Sequence, residues 1–245
     1  MATKEKGQIK SRKRVADHGE VFTSEREVNA MLDLVKSETE RIESRFLEPA
    51  CGDGNFLAEI LRRKMEAVKK ASKYKGKVFT ADYEKKAISA LCSIYGVELL
   101  QDNVEACIKR LYGIWDKEYT KVMKTEANDD VREVAKFILR KNILCGDTLT
   151  MLKADGTPII FSQWDFVTGD NIKRRDFRLD ELMKGGKDSV AEDYGQDGEV
   201  PHSTFTYDDM TGTWMPDPIK EYDLTDYRRI IDEDQSCDDV RRQDC

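Results

Sequence analysis

Hydrophobic positions along the first 170 residues change repeatedly between a helical period and short apolar runs. Residues 25–43 carry apolar side chains three or four positions apart, which predicts an amphipathic helix. A short apolar run and a glycine-rich turn follow at 46–54, and residues 55–71 return to the helical period. This order predicts a helix, a strand, a tight turn and a second helix that begins near Asn55.

The same alternation continues along the chain. Further helices are predicted over 84–94, 102–115 and 132–142, and further strands over 95–100, 143–144, 159–161 and 164–167. Strands that alternate with helices are typical of a parallel sheet that is covered on both faces. The pattern therefore predicts an α/β fold with a mostly parallel sheet and helices on both faces.

The alternation ends near residue 185. The segment that follows is rich in Gly, Asp and Ser with isolated aromatic residues, and it predicts a mostly irregular tail with a short hairpin around 208–214. We therefore divide the chain into a basic N-terminal arm over 1–14, an α/β domain over 15–184, and an acidic C-terminal tail over 185–245.

Charge is distributed unevenly along the chain. The net charge is -7, but residues 188–245 hold 17 acidic and 5 basic residues, whereas residues 1–187 hold 31 acidic and 36 basic residues. Six Lys and Arg stand among the first 14 residues against one Glu. Such an arm suits a phosphate backbone, because neutralised phosphates release counterions. The alternative is a solvated terminus.

Composition excludes several classes of protein. The 245 residues are 39% hydrophobic and 9% aromatic, with a mean hydropathy of -0.66, which excludes collagen-like and wholly disordered chains. No apolar run is long enough to cross a membrane, and no signal peptide is visible. The six cysteines form no C-x-x-C pair and neither histidine lies near them in a zinc-ligand pattern. We expect a cytoplasmic protein with free thiols and no metal.

Three loops after predicted strands carry groups that could bind a ligand. Glycines at 52 and 54 let the backbone approach a ligand closely, although a plain strand-to-helix turn also explains them. Glu98 ends a strand, where a carboxylate can accept hydrogen bonds from ribose hydroxyls, or simply be a solvated acid. Asp147 can accept a hydrogen bond from an adenine amine or form a turn with Thr148. In this order the three loops predict a nucleoside pocket without phosphates.

Four segments carry a resemblance to a known family. They are HGEVFTSEREV at 18–28, FLEPACGDGNFL at 46–57, IYGVELLQDNV at 94–104 and NILCGDTL at 142–149. In this order, from about Val15 to about Asp180, they resemble the adenine-specific, amino-methylating DNA methyltransferases of bacterial restriction-modification systems. The resemblance implies a Rossmann-like fold and an S-adenosylmethionine (SAM) cofactor.

The resemblance also implies roles for individual residues. Phe22 and Thr23 would border the methionine end of SAM, and Glu98 would hold its ribose. Leu99 would pack on the adenine and Asp147 would bind the adenine amine. The methionyl part would be contacted by Glu48, Ala50, Gly52 and Gly54.

The family's catalytic motif is not found in this sequence. The motif is Asp or Asn, then Pro-Pro, then an aromatic residue, and it holds a base flipped out of the duplex. Asp170 stands where the motif should begin, but Asn171, Ile172 and Lys173 replace the rest. The sequence also has no convincing target-recognition region, which the resemblance would place in a further segment or a partner subunit.

Three functions remain open from the sequence. The first is methyl transfer from SAM to the exocyclic amine of adenine in DNA, with Asp170 as the catalytic candidate. The second is a catalytically inactive, methyltransferase-like subunit or regulator that binds SAM, a specificity or docking protein, or both. Apolar and aromatic residues in the acidic tail suggest such docking, although they could equally pack on the chain's own domain. The third is methylation of a small molecule, RNA or protein.

Overall fold

A computed structural model describes residues 10–184, 205–208, 213–232 and 234. The chain divides into two compact units, Met1–Cys145 and Gly146–Cys245. This division falls inside the segment 15–184 that the sequence pattern treats as one domain. Within the described residues, no helix is both long and apolar enough to cross a membrane.

The first unit alternates helices with short strands. In chain order its elements are α1 (Arg12–His18), α2 (Glu25–Asp33), α3 (Lys36–Thr39), β1 (Phe46–Glu48), α4 (Asn55–Ala71), β2 (Lys73–Tyr74), β3 (Lys77–Val78), α5 (Thr80–Cys92), β4 (Ile94–Glu98), α6 (Gln101–Met123), a 3-10 turn (Lys124–Glu126), α7 (Asp129–Asn142) and β5 (Ile143–Cys145).

A three-stranded parallel sheet organises this unit, in the order β1-β4-β5. Phe46 lies opposite Ile94, and Glu98 lies opposite Cys145. Because the strands are parallel, Glu48, Glu98 and Cys145 all lie at the carboxyl edge of the sheet. The α/β fold predicted from the alternating pattern is confirmed for this unit.

Local sequence signals explain where the helices begin. Ser24 and Glu27 form a capping box at the start of α2, and the Asn128 side chain accepts a hydrogen bond from Asp130 N at the start of α7. The helices pack through apolar faces, and Trp115 is fully buried with its Nε1 donating to Ala87 O at 3.0 Å. The glycine loop leads directly into α4, whose N-cap is Gly54.

The second unit is built from antiparallel strands. Its elements are β6 (Ile160–Phe166), β7 (Asn171–Arg178), α8 (Leu179–Lys184), β8 (Phe205–Asp208), β9 (Thr213–Pro216), β10 (Lys220–Glu221), β11 (Thr225–Asp226) and a 3-10 turn (Tyr227–Arg229). Strands β6, β10 and β11 pair antiparallel with β7, and β8 pairs antiparallel with β9.

These pairings correct part of the sequence interpretation. The two apolar runs at 159–161 and 164–167 fall largely in one hairpin strand, β6, and parallel pairing among the described residues is limited to β1, β4 and β5. Strand β7 escaped prediction because it buries charged residues. Arg174 is buried, and its Nη2 donates to Asp176 Oδ2 at 2.8 Å. Because charged residues occupy buried positions of β7, the strand lacks the usual alternation of apolar and polar residues. The pairing of β8 with β9 agrees with the short hairpin predicted around 208–214.

Candidate functional site

The glycine loop between β1 and α4 is shaped by two residues in the left-handed region. Gly52 has a φ of 54° and Gly54 a φ of 85°. A Cβ atom on Gly54 would lie 2.6 Å from Cys107 Sγ, so only glycine lets α6 approach the loop this closely. Gly54 N donates to Cys51 O at 2.8 Å, which closes the turn. The loop is therefore a close-approach turn, as its sequence predicts.

Glu98 joins the end of β4 to this loop. Its Oε2 accepts a hydrogen bond from Gly52 N at 2.9 Å. Its Oε1 accepts from Leu100 N at 3.0 Å and from Asn103 Nδ2 at 3.2 Å. A carboxylate has about four lone-pair directions, so Glu98 keeps acceptor capacity beyond these three bonds. The alternative that Glu98 is merely a solvated acid is wrong, because the side chain is buried.

Phe22 and Thr23 lie against the same loop. A Cβ atom on Gly52 would be 3.0 Å from Phe22 Cε1, so the aromatic ring covers the space that glycine leaves open. Asn55 Nδ2 donates to Thr23 O at 2.9 Å, which ties the segment before α2 to the start of α4. Two segments that the sequence separates by about 30 residues are thus held together.

Glu48, Ala50 and Leu99 border this cluster in the first unit. Burial raises the pKa of Glu48, and a hydrogen bond from the Ala50 backbone offsets this only in part. Ala50 is exposed, and so is Leu99. Cys145 Sγ donates a long hydrogen bond of 3.5 Å to Leu99 O. Leu99 is therefore an exposed apolar residue that directly follows the buried Glu98.

Asp147 and Asp170 belong to the second unit. Asp147 Oδ1 accepts a hydrogen bond from Leu149 N at 2.9 Å. This is the turn that the sequence allowed as one of two interpretations of Asp147. Asp170 lies in the turn between β6 and β7, with a half-exposed carboxylate whose Oδ2 accepts from Arg228 Nη1 at 3.0 Å. Its carbonyl accepts from Tyr227 N at 3.0 Å.

Sequence reasoning missed a polar network that adjoins Glu98. Asn103 is fully buried and donates from Nδ2 to Glu20 Oε1 at 2.8 Å as well as to Glu98. Glu20 also forms an ion pair with Arg14. Burial acts to raise the pKa of Glu20, but the hydrogen bonds from Arg14 and Asn103 outweigh it and lower that pKa. Asn103 thus links two acids that the sequence places in different segments.

The described end of the basic arm is held by α6. Arg14 Nη1 and Nη2 donate to the two carboxylate oxygens of Asp102 at 2.8 and 3.0 Å, and Lys10 Nζ donates to Asp102 Oδ2 at 3.1 Å. Hydrogen bonds from Arg14 and Lys10 lower the pKa of Asp102 to about 2. These two charges therefore bind the chain itself. Residues 1–9 of the arm lie outside the described residues.

An ion pair between α6 and the glycine loop stabilises the loop. Asp53 is buried, and Arg110 Nη1 on α6 lies 3.3 Å from Asp53 Oδ1 and within hydrogen-bonding distance of Asn55 Oδ1. Cys51, within the loop, is a buried free thiol. Its hydrogen bond with Cys107 and its burial raise the pKa of Cys51, which keeps the thiol protonated.

No family model, no curated protein and no solved structure matches this chain. The chemistry of the cluster therefore rests on its own residues. They provide a tight backbone turn, a buried carboxylate with spare acceptor capacity, an aromatic ring packed on Gly52 and an exposed leucine. Within the described residues, no group of His, Cys, Asp and Glu is suited to hold a metal ion.

Proposed function

We propose that the first unit binds SAM and that the protein transfers its methyl group to the exocyclic amine of adenine in DNA. The observation that carries this proposal is the hydrogen bond of 2.9 Å from Gly52 N to Glu98 Oε2, with the Phe22 ring over Gly52. It joins three motifs of the resemblance that are far apart in sequence. The order of β1 and β4, parallel and adjacent, supports the finer assignment of a Rossmann-like methyltransferase fold.

The residues present fit a nucleoside with an amino-acid tail. A side chain at Gly52 or Gly54 would collide with Phe22 or Cys107, so glycine at both positions lets these side chains pack directly on the loop. Glu98 would accept hydrogen bonds from the ribose hydroxyls, and Phe22 and Thr23 would border the methionine end. Leu99 would cover the adenine, and Glu48 and Ala50 would face the methionyl part. The role that the resemblance implies for Asp147 of the second unit, accepting a hydrogen bond from the adenine amine, stays a prediction. When bound, SAM supplies an electrophilic methyl group on a sulfonium.

Asp170 is the candidate for holding the target amine. Its carboxylate would accept a hydrogen bond from the exocyclic amine of the target base. The test is transfer of labelled methyl from SAM to unmethylated DNA, with RNA and protein as separate acceptors. Loss of transfer in Asp170→Ala supports the role, and Asp223→Ala, an exposed acid of the same unit, is the control. Unchanged transfer in Asp170→Ala removes Asp170 from the mechanism.

A catalytically inactive, SAM-binding subunit is the second candidate. One observation favours it: both the carboxylate and the carbonyl of Asp170 already accept hydrogen bonds, from Arg228 and from Tyr227 N. No Asp-Pro-Pro or Asn-Pro-Pro sequence presents this side chain. SAM binding without methyl transfer to DNA, RNA or protein would select this function, and a specificity or docking subunit would then be its partner.

A further inference from the structure

A cluster of lysines and aromatic rings lies at the far end of α4 from the glycine loop. Helix α4 has 17 residues, which makes it about 25 Å long. It begins beside Gly54 and ends at Ala71, directly before the β2–β3 hairpin. The hairpin is therefore separate from the proposed SAM site, and what it binds does not depend on methyl transfer.

The hairpin has a defined turn. Lys73 pairs with Val78 and Tyr74 pairs with Lys77, and the two turn residues Lys75 and Gly76 have φ values of 47° and 80°. Positive φ at both positions is the geometry of the tight turns that suit β-hairpins. The pairing gives the backbone of the hairpin lysines defined positions, with Tyr74 and Lys77 on one face of the hairpin and Lys73 on the other.

Five lysines make this surface strongly basic. They are Lys69, Lys70, Lys73, Lys75 and Lys77. No acidic residue occurs between 69 and 77, and within the described part of the chain no ion pair involves any of the five. Three lysines of α5 to α7, by contrast, pair with a carboxylate one helical turn away: Lys86, Lys121 and Lys136. The hairpin charges repel one another and favour an anionic partner.

Two exposed aromatic rings stand among these lysines. Tyr74 is 61% exposed and Phe79 is 55% exposed, and their ring centroids are 6.1 Å apart. Phe79 N donates to Ser72 O, which extends the pairing and places the Phe79 ring on the same side of the hairpin as Tyr74 and Lys77. An acidic peptide would use the charges alone, whereas unpaired bases also stack on aromatic rings.

We propose that the β2–β3 hairpin, with the end of α4, binds single-stranded nucleic acid. The lysines contact phosphates, and Tyr74 and Phe79 provide stacking surfaces for bases. Phosphate contacts and stacking on aromatic rings carry little sequence information, so we infer binding without strong sequence preference.

The test measures binding of fluorescein-labelled dT20, and of its duplex with dA20, to the full chain by fluorescence anisotropy. The variant Lys73→Gln/Lys75→Gln/Lys77→Gln removes three hairpin charges. Its control, Lys109→Gln/Lys117→Gln/Lys121→Gln, removes three charges from exposed positions of α6. Circular dichroism confirms that each variant keeps its helical content.

We expect the hairpin variant to bind dT20 at least tenfold more weakly than the control does. We also expect the slope of log affinity against log salt to fall by about 2, since each lost phosphate contact removes about 0.7 on a single strand. The variant Tyr74→Leu/Phe79→Leu should weaken dT20 binding by about tenfold and leave duplex binding nearly unchanged.

Three results would overturn the proposal. The first is equal loss of dT20 affinity in the hairpin variant and the α6 control, which would show only a response to net charge. The second is absence of dT20 binding by the unmodified chain at 50 mM salt, because phosphate contacts by these lysines should give measurable affinity at that salt concentration. The third is displacement of dT20 by polyglutamate as effectively as by unlabelled dT20, which would mark a site for acidic peptides.

Discussion

Substitution of Gly54 by alanine tests the geometry of the glycine loop. The new Cβ atom would lie 2.6 Å from Cys107 Sγ, and the backbone φ of 85° would be occupied by a residue with a side chain. A left-handed backbone costs a non-glycine residue about 1–2 kcal/mol. An overpacked contact costs about 1–3 kcal/mol more. We therefore expect Gly54→Ala to lower the free energy of unfolding by about 2–5 kcal/mol.

Equilibrium urea unfolding, followed by helical ellipticity, measures this loss. Gly113→Ala is the matched control, because Gly113 lies within α6 with nothing near its Cβ position, and alanine there should stabilise the helix by up to about 1 kcal/mol. Adding Cys107→Ala to Gly54→Ala removes the steric contact and should recover part of the loss. Stability of Gly54→Ala within about 0.5 kcal/mol of the parent chain would refute the geometry.

Two further predictions concern charged groups. Burial lowers the pKa of Lys64, whose Nζ donates to Arg41 O, Ile42 O and Ser44 O, from 10.5 to about 8. Between pH 8 and 10.5 the unfolded chain keeps the Lys64 proton and the folded chain loses it, so the free energy of unfolding, relative to that of Lys64→Met, should rise by about 3 kcal/mol. Below pH 8 this difference should stay level. Urea unfolding at several pH values measures the difference, and a flat or falling difference between pH 8 and 10.5 would contradict the prediction. Arg14→Ala should raise the pKa of Asp102 from about 2 toward its ordinary value, as followed by NMR titration, with exposed Lys13→Ala as control; an unmoved titration would show that Arg14 does not hold Asp102.

The contact between Glu98 and the glycine loop could be predicted from sequence because of strand geometry. Parallel strands bring their carboxyl ends to one edge of a sheet, so an acid at the end of β4 falls beside the turn after β1. Helix periods and the residues that cap helices were equally visible, since both depend on neighbours within one or two turns.

What escaped prediction depends on which distant side chains meet. Asn103 donates to both Glu20 and Glu98, and nothing in the spacing of these residues selects those partners. Strand β7 buries Arg174 against Asp176. Judged by its charged residues alone, the sequence of β7 looks like that of an exposed segment. The hairpin turn at Lys75–Gly76 did carry a local signal, a glycine between two short β segments, but lysine-rich flanks concealed it.

Titration of SAM into the purified chain by calorimetry tests the central claim most directly. We predict micromolar binding, worth about 8 kcal/mol, with the demethylated product S-adenosylhomocysteine competing for the same site. Glu98→Gln should weaken binding about 10- to 100-fold, because a charge-assisted hydrogen bond to the ribose is lost. Glu105→Gln, an exposed acid on α6, should leave the affinity unchanged. Absence of heat together with absence of competition, or equal affinity in Glu98→Gln and the parent chain, would contradict a SAM site at this loop.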